Sequence, residues 1–312
     1  MRELFDKVLG AYLGFAIGDA LGATVEFMRP REIALQYGTH RDIVGGGWLK
    51  LARGQVTDDT TMSLALGNAL LQGGTHALHR HAGGDDTLVR HIGEAFVQWL
   101  HAKPVDCGNT CRRGILRFRH EGTLTGPYNP GDAGNGALMR NLPVVLATLG
   151  QDAAFARLSI AQAHLTHHHP LSDAATLGVG QLLRRLLDGA AHNGCQLWAE
   201  QWTAENPAFR FTPYRGRATA YVVDTVQTVL HFLTLHEDFE TALVATVNQG
   251  DDADTTGALV GMLAGARCGA SRLPSRWLQR LQPTTVQAIT DQASGLLALA
   301  DSLTDPPRLH PT

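Results

Sequence analysis

The stretch Asn248-Gln249-Gly250-Asp251-Asp252-Ala253-Asp254-Thr255-Thr256-Gly257 decides how the chain reads, because it begins a helix with far more negative charge than a helix start needs. Three carboxylates and two hydroxyls fall within six residues, after a polar Gly turn and before the apolar run 258–266. Ionised carboxylates at close range raise one another's pKa unless a cation intervenes. The partial positive charge of a helix N-terminus is too small to offset three of them. Hard oxygen donors of this kind suit Mg²⁺, Mn²⁺ or Ca²⁺, not zinc. The competing reading is a heavily capped helix, with Asp252 as N-cap and Asp254 in the first turn. Thr57-Asp58-Asp59-Thr60 weakens that alternative, since it too sets a hydroxyl and adjacent carboxylates before an apolar helical run, 62–71. Two acidic helix starts almost two hundred residues apart can converge on one dinuclear site, in which carboxylates bridge cations about 3.5–4 Å apart.

Around these motifs the pattern is helical. Residues 4 to 22 read as a helix in which Gly10, Gly14, Gly18 and Gly22 recur every four residues. Each such Gly costs a helix about 1 kcal/mol relative to Ala, which makes sense where another backbone passes close by. Gly257, Gly261 and Gly265 repeat the spacing, so the two helices are expected to meet in the crowded centre. Glu26, among apolar neighbours just after the first helix, is a candidate to face the site. Gly45-Gly46-Gly47-Trp48 reads as a loop leading to the first acidic motif, and 76–86 as an aperiodic exposed turn. Helical spacing returns over 87–101, with Ile92, Phe96 and Leu100 on one stripe. After the punctuation at 104–110 comes a helix over 111–120. Its Arg112, Arg113, Arg117 and Arg119 form either a solvated face or a contact for phosphate or an acidic partner.

The segment 131–140 is Gly-rich and is expected to open a helix continuing through Val145 and Leu149. Backbone N–H groups at such a turn suit phosphate oxygens, although the pattern is neither GxGxxG nor a Walker loop. Three consecutive histidines, His167-His168-His169, cannot easily share one tetrahedral ion, so one buried, hydrogen-bonded His is expected. Further helices are expected over 152–164, 171–188, 195–204, 218–235 and 239–247, with one or two in 274–301 and a long surface loop over 205–217. No segment alternates as a strand would. The reading is all-α, a single domain over 1–312, with roughly ten to thirteen helices of typical length.

An apolar content of 44% supplies a core, while 34 glycines against 6% aromatics favour close helix packing. A net charge of −3 gives no reason to expect non-specific nucleic-acid binding. The four cysteines form no CxxC pair, which points to reduced thiols and a cytoplasmic setting. The start Met1-Arg2-Glu3-Leu4-Phe5-Asp6-Lys7 is too charged for a signal peptide's apolar segment. No run of eighteen apolar residues suggests a membrane span.

Six segments, in order along about 8–300, carry a family resemblance. They are Gly18-Asp19-Ala20-Leu21-Gly22-Ala23 with Glu26, Gln55-Val56-Thr57-Asp58-Asp59-Thr60, Val105-Asp106-Cys107-Gly108-Asn109-Thr110, Gly134-Asn135-Gly136-Ala137-Leu138-Met139-Arg140, Thr166-His167-His168-His169-Pro170 and Gly250-Asp251-Asp252-Ala253-Asp254-Thr255. Together they resemble the ADP-ribosylglycohydrolase family, and within it the dinitrogenase reductase-activating branch. The resemblance implies an orthogonal multi-helix bundle with a central dinuclear Mn²⁺ or Mg²⁺ cleft. It maps metal ligands onto Glu26, Thr57, Asp58, Asp59, Asp252, Asp254 and Thr255, and catalytic roles onto Asp106, Asp59 and Glu26. Substrate would meet Gly134, Asn135 and Gly136 through its diphosphate or ribose, with Asn109, His167 and Tyr221 lining the cleft and Asp106 at the guanidinium. The implied reaction removes ADP-ribose from an arginine of dinitrogenase reductase, with nitrogenase reactivated as a result. Alternatives are hydrolysis of serine-linked ADP-ribose or O-acetyl-ADP-ribose, or a metal-dependent phosphoesterase. The branch also implies a cytoplasmic monomer, regulated through a PII signalling protein and held reversibly at a membrane by an ammonium-transporter complex. Asp251 departs from the branch, where Gly is usual.

Overall fold

The chain folds into helices joined by turns and by three long connections, 38–57, 122–141 and 206–221. In the computed structural model, which describes residues 2–82 and 84–304, the first seven are α1 (Arg2–Gly22), α2 (Pro30–Tyr37), α3 (Asp58–Ala82), α4 (Thr87–His101), α5 (Asn109–Glu121), α6 (Leu142–Ala147) and α7 (Asp152–His164). The rest are α8 (Pro170–Leu187), α9 (His192–Glu205), α10 (Val222–Leu235), α11 (Phe239–Val247), α12 (Ala253–Cys268), α13 (Ser275–Leu278) and α14 (Pro283–Thr304). Among the described residues there are no strands, only two isolated bridges, Gly46 with Leu51 and Gly134 with Tyr221. All four cysteines are free thiols.

The two glycine-stepped helices, α1 and α12, form the centre. Every residue from Gly10 to Gly22 and from Ala253 to Ala266 is buried, as befits helices that are largely apolar all round, with glycine on one face. They run antiparallel with their backbones touching: a Cβ added at Gly18 would lie 2.0 Å from the carbonyl oxygen of Gly257, and one at Gly261 would lie 2.1 Å from that of Gly14. The same register brings Gly22 against Ala253. The end of α1 is thereby laid over the start of α12, which is where the chemistry gathers.

A second join sets α3 in place. Asp19, fully buried on α1, accepts hydrogen bonds from the backbone N–H of Thr57 (3.0 Å) and Thr60 (3.2 Å) and from the Thr60 hydroxyl. A residue of one helix thus satisfies the orphan donors at the N-terminus of another.

Several expectations need correction. Fourteen α-helices are described, more than the ten to thirteen expected. The extra α2 buries only Ile33, so it carries no apolar stripe to read. Helix continues past 76 to Ala82 after a break at Gly74, because Ala77 and Leu78 find cover. The helix expected through 131–149 is only α6, since 134–140 form turns instead. Helix α10 begins at Val222, four residues later than expected.

Candidate metal centre and substrate cleft

The α1–α12 contact and the Asp19 cap bring the two acidic helix starts together. One carboxylate oxygen each from Glu26, Asp252 and Asp254 lie within 4.8 Å of one another, and so do those of Asp58, Asp59 and Asp254. Asp254 belongs to both groups, so two cation-sized sites would share one carboxylate. Asp252 stands at the N-cap of α12, yet its side chain makes no capping bond; it accepts from the Asn135 amide instead. The capped-helix alternative therefore fails. Thr57 and Thr255 donate to Oδ2 of Asp59 at 3.4 and 3.2 Å, while Asp59 Oδ1 is buried with no hydrogen-bond partner. A buried carboxylate oxygen left unpaired is costly unless a cation satisfies it.

Electrostatics agree. Burial pushes Glu26 up to about 8, against a Trp48 hydrogen bond that lowers it, with Asp252, Asp106 and Asp58 adding repulsion. Burial, then the charges of Asp106 and Asp19, raise Asp58 to about 7. Asp252 rises to about 6 through burial, and burial lifts Asp59 and Asp254 well above the usual carboxylate range. This all-oxygen, mutually repelling set fits hard divalent cations.

These carboxylates floor a cleft of about 200 Å³. Asp106, Asn109, Gly134, Asn135, Gly136, His167 and Thr255 line the same cleft, so twelve of the predicted positions converge with Glu26, Asp58, Asp59, Asp252 and Asp254 included. Thr57 lies one layer behind, fully buried. Tyr221 differs: its backbone bridges Gly134, but its exposed side chain lines a neighbouring depression, and Ala220 forms the cleft wall.

The Gly-rich turn is small for a packing reason. A Cβ at Gly136 would stand 2.7 Å from both Cys111 Sγ and His167 Cε1. Asn135 N–H donates to Ala220 O at 3.1 Å, so it is not among the groups free to meet a phosphate. Arg140 is fully buried and donates to Gly136 O (2.9 Å), Gln162 Oε1 (2.8 Å) and Thr166 Oγ1 (2.8 Å). The Thr166 hydroxyl, which accepts from Arg140, shares a second hydrogen bond with His167 Nδ1 at 2.7 Å, so that Nε2 is the ring nitrogen beside the glycines. Burial, Arg140 and Arg113 hold His167 well below the ordinary histidine value. A neutral imidazole therefore presents Nε2 to the cleft. Of its neighbours, His169 caps α8 through Leu171 N–H and His168 bonds Gly126 O.

Trp48, Asp19 and Arg140 were not among the predicted site residues. Trp48 Nε1 donates to Glu26 Oε2 at 2.6 Å from the glycine loop; Gly-Gly-Gly-Trp just before the acidic motif was the available signal. Asp19 was legible as a lone carboxylate in an apolar, glycine-stepped helix. The Asp251 departure is explained by its backbone, at φ 51°. Gly adopts that left-handed region freely and Asp tolerates it. Asp251 belongs to neither carboxylate group.

The family model for ADP-ribosylglycohydrolase matches residues 1–307, and the chain belongs to that family. The chain is 53% identical to an ADP-ribosyl-[dinitrogen reductase] glycohydrolase from Rhodospirillum rubrum, over 96% of this chain and 98% of the other. It is 30% identical to the ADP-ribosylarginine hydrolase Tri1 of Serratia proteamaculans (strain 568), over 89% of this chain and 76% of that one. A solved structure described as an ADP-ribosylglycohydrolase-related protein complex superposes with a TM-score of 0.81 at 31% identity, covering 96% of this chain and 100% of the other. No helix among the described residues is long and apolar enough to cross a membrane.

Proposed function

We propose that this chain is a metal-dependent hydrolase that removes ADP-ribose from a modified arginine of dinitrogenase reductase and so reactivates nitrogenase. The observation that carries the reading is the pair of carboxylate groups sharing Asp254 beneath a cleft that also holds Asp106. Near-full-length similarity to the Rhodospirillum rubrum enzyme supports the substrate. Two divalent cations, Mn²⁺ or Mg²⁺, would be held by Glu26, Asp252 and Asp254 and by Asp58, Asp59 and Asp254, with Thr57 and Thr255 alongside. When bound they supply Lewis-acid polarisation of ribose hydroxyls and water.

The chain's own residues do the rest. Cleavage of the N-glycosidic bond develops oxocarbenium charge at the anomeric carbon, and guanidine is a poor leaving group unless protonated. Asp106, partly exposed in the cleft wall, holds the guanidinium in its charged form and aligns it. The neutral His167 ring offers Nε2 to the substrate beside the Gly134–Gly136 turn, and Asn109 lines the cleft. Regulation of a monomer through a PII protein and an ammonium-transporter complex belongs to the same reading and rests on the branch resemblance alone.

Incubation of the purified protein with ADP-ribosylated dinitrogenase reductase, with and without Mn²⁺, tests the function. Metal-dependent release of free ADP-ribose is expected. Release of AMP would mean diphosphate cleavage and a phosphoesterase. Inactivity here beside strong action on a serine-linked substrate would move the chain to another branch.

A further inference from the structure

The proposed substrate is a modified side chain of a folded protein, so the protein that bears it must rest on the surface around the cleft. Helix α5, whose start lines the cleft, has two of its four arginines engaged. Arg113 is paired with Asp132, and Arg117 donates to Leu165 O at 2.7 Å.

A different surface borders the cleft. The loop 206–221, between α9 and α10, forms one side of a groove of about 890 Å³ lined by Arg210, Arg215, Arg217 and Tyr221. Groove and cleft share a wall: Ala220 faces the cleft, while its neighbours Thr219 and Tyr221 face the groove. The single carboxylate in the groove, Asp224, is engaged by the Thr219 hydroxyl at 2.7 Å and by Arg217 at 3.6 Å. Three cations line the groove against Asp224, with Asp251 behind the loop at the Ala218 N–H (3.5 Å), which leaves Arg210 and Arg215 as its unengaged charges on a chain whose net charge is −3.

The loop is also rigidly held. Phe209 is buried against Trp202, with ring centres 5.0 Å apart. Tyr214 stacks on His231 at 4.3 Å and hydrogen-bonds the Thr228 hydroxyl. Arg217 O accepts from Thr228, and Ala218 O accepts from the N–H of Asp252 at 2.9 Å. Arg210 and Arg215, both exposed, sit between these anchors, and the loop is tied directly to the acidic centre. Long loops held this firmly are commonly functional, and arginine is enriched where proteins meet.

We infer that the Arg210–Arg215–Arg217 groove is the docking surface for an acidic face of the protein substrate flanking its modified arginine. This rests on the functional reading above and adds a division of labour. The cleft reads the modified side chain, and the groove reads the protein that carries it.

The test compares Arg210→Glu/Arg215→Glu with the unsubstituted enzyme on ADP-ribosylated dinitrogenase reductase and on free ADP-ribosyl-arginine. At low salt, kcat/KM on the protein should fall about tenfold or more, because rim charges steer association. Free ADP-ribosyl-arginine should be hydrolysed within about twofold of the unsubstituted rate. The gap should close toward 1 M salt, where the Debye length is about 3 Å. The Arg210→Lys/Arg215→Lys enzyme should keep most of its activity on the protein, and unchanged thermal unfolding will show that the fold is intact. Equal losses on both substrates would overturn the inference and assign the groove to the nucleotide. No loss on the protein substrate would also overturn it. An unsubstituted enzyme that cleaves free ADP-ribosyl-arginine but not the protein would instead overturn the functional reading, and the docking surface with it.

Discussion

Asp254 supplies an oxygen to both carboxylate groups, whereas Asp58 belongs to one. Asp254→Asn should therefore weaken both cation sites, by about a hundredfold or more in affinity, while Asp58→Asn should spare one. Calorimetric titration with Mn²⁺ reads the difference, and circular dichroism should show the helices retained. Two full-affinity sites in Asp254→Asn would disprove the shared ligand. At Asp106 the expectation is separate. Asp106→Ala should lower kcat by about 10²–10⁴ and leave metal content and ADP-ribose binding near normal, because a contact made chiefly in the transition state appears in turnover. Loss of metal from that variant would place Asp106 among the ligands instead. Both predictions concern residues visible in the sequence as carboxylates in unusual company. Trp48 and Arg140 were not visible in that way, because an indole in a glycine loop and an arginine in a turn look solvent-facing until their partners are known.

At the scale of elements, the glycine ladder between α1 and α12 carries the strongest prediction. A Cβ at Gly261 would meet the Gly14 carbonyl oxygen at 2.1 Å, and neither backbone can yield without moving its helix. Gly261→Ala should destabilise by about 3 kcal/mol or more, at the upper end for overpacked sites, and should also weaken Mn²⁺ binding by spreading the two acidic segments. Gly194 in α9 is the control, since an added Cβ there meets nothing nearer than 3.6 Å. Gly194→Ala should stabilise by up to about 1 kcal/mol. Urea unfolding of both variants checks the pair, and a neutral Gly261→Ala would refute the tight contact. Helices with period or spacing of this kind were legible from sequence. Helix α2 was not, because its start is set by Pro30 and by Glu32 accepting from Arg29 N–H, with almost no apolar face. The helix expected over 131–149 is shorter for the opposite reason. Its turn residues pack around His167 and Asp252, and those tertiary contacts override local propensity.

At the scale of the whole molecule, the fold confines several carboxylates against their own repulsion. Glu26, Asp58 and Asp252 have their pKa raised to about 8, 7 and 6, from ordinary values of 4.5, 3.8 and 3.8. The folded chain therefore holds protons that the unfolded chain releases. Their contribution to stability is whole below the unfolded-state values and is lost as pH rises through the folded ones, between about pH 4 and pH 8. Metal-chelated protein should accordingly melt several degrees lower at pH 8 than at pH 6. Saturating Mn²⁺ should flatten or reverse that slope, because the cations keep the carboxylates ionised and their binding releases protons. A chelated protein equally stable at both pH values would contradict the assignment of these shifts. From the sequence alone, the all-α class, the meeting of the two glycine-stepped helices and the acidic pair as one centre could all be derived, since each depends on local spacing and on charge that needs neutralising. Which oxygens converge, that Asp254 is shared, that Tyr221 lines the neighbouring groove and that this groove is basic were decided only by the tertiary structure. These depend on helix register and loop anchoring between residues far apart in the chain, and no local pattern encodes such distances.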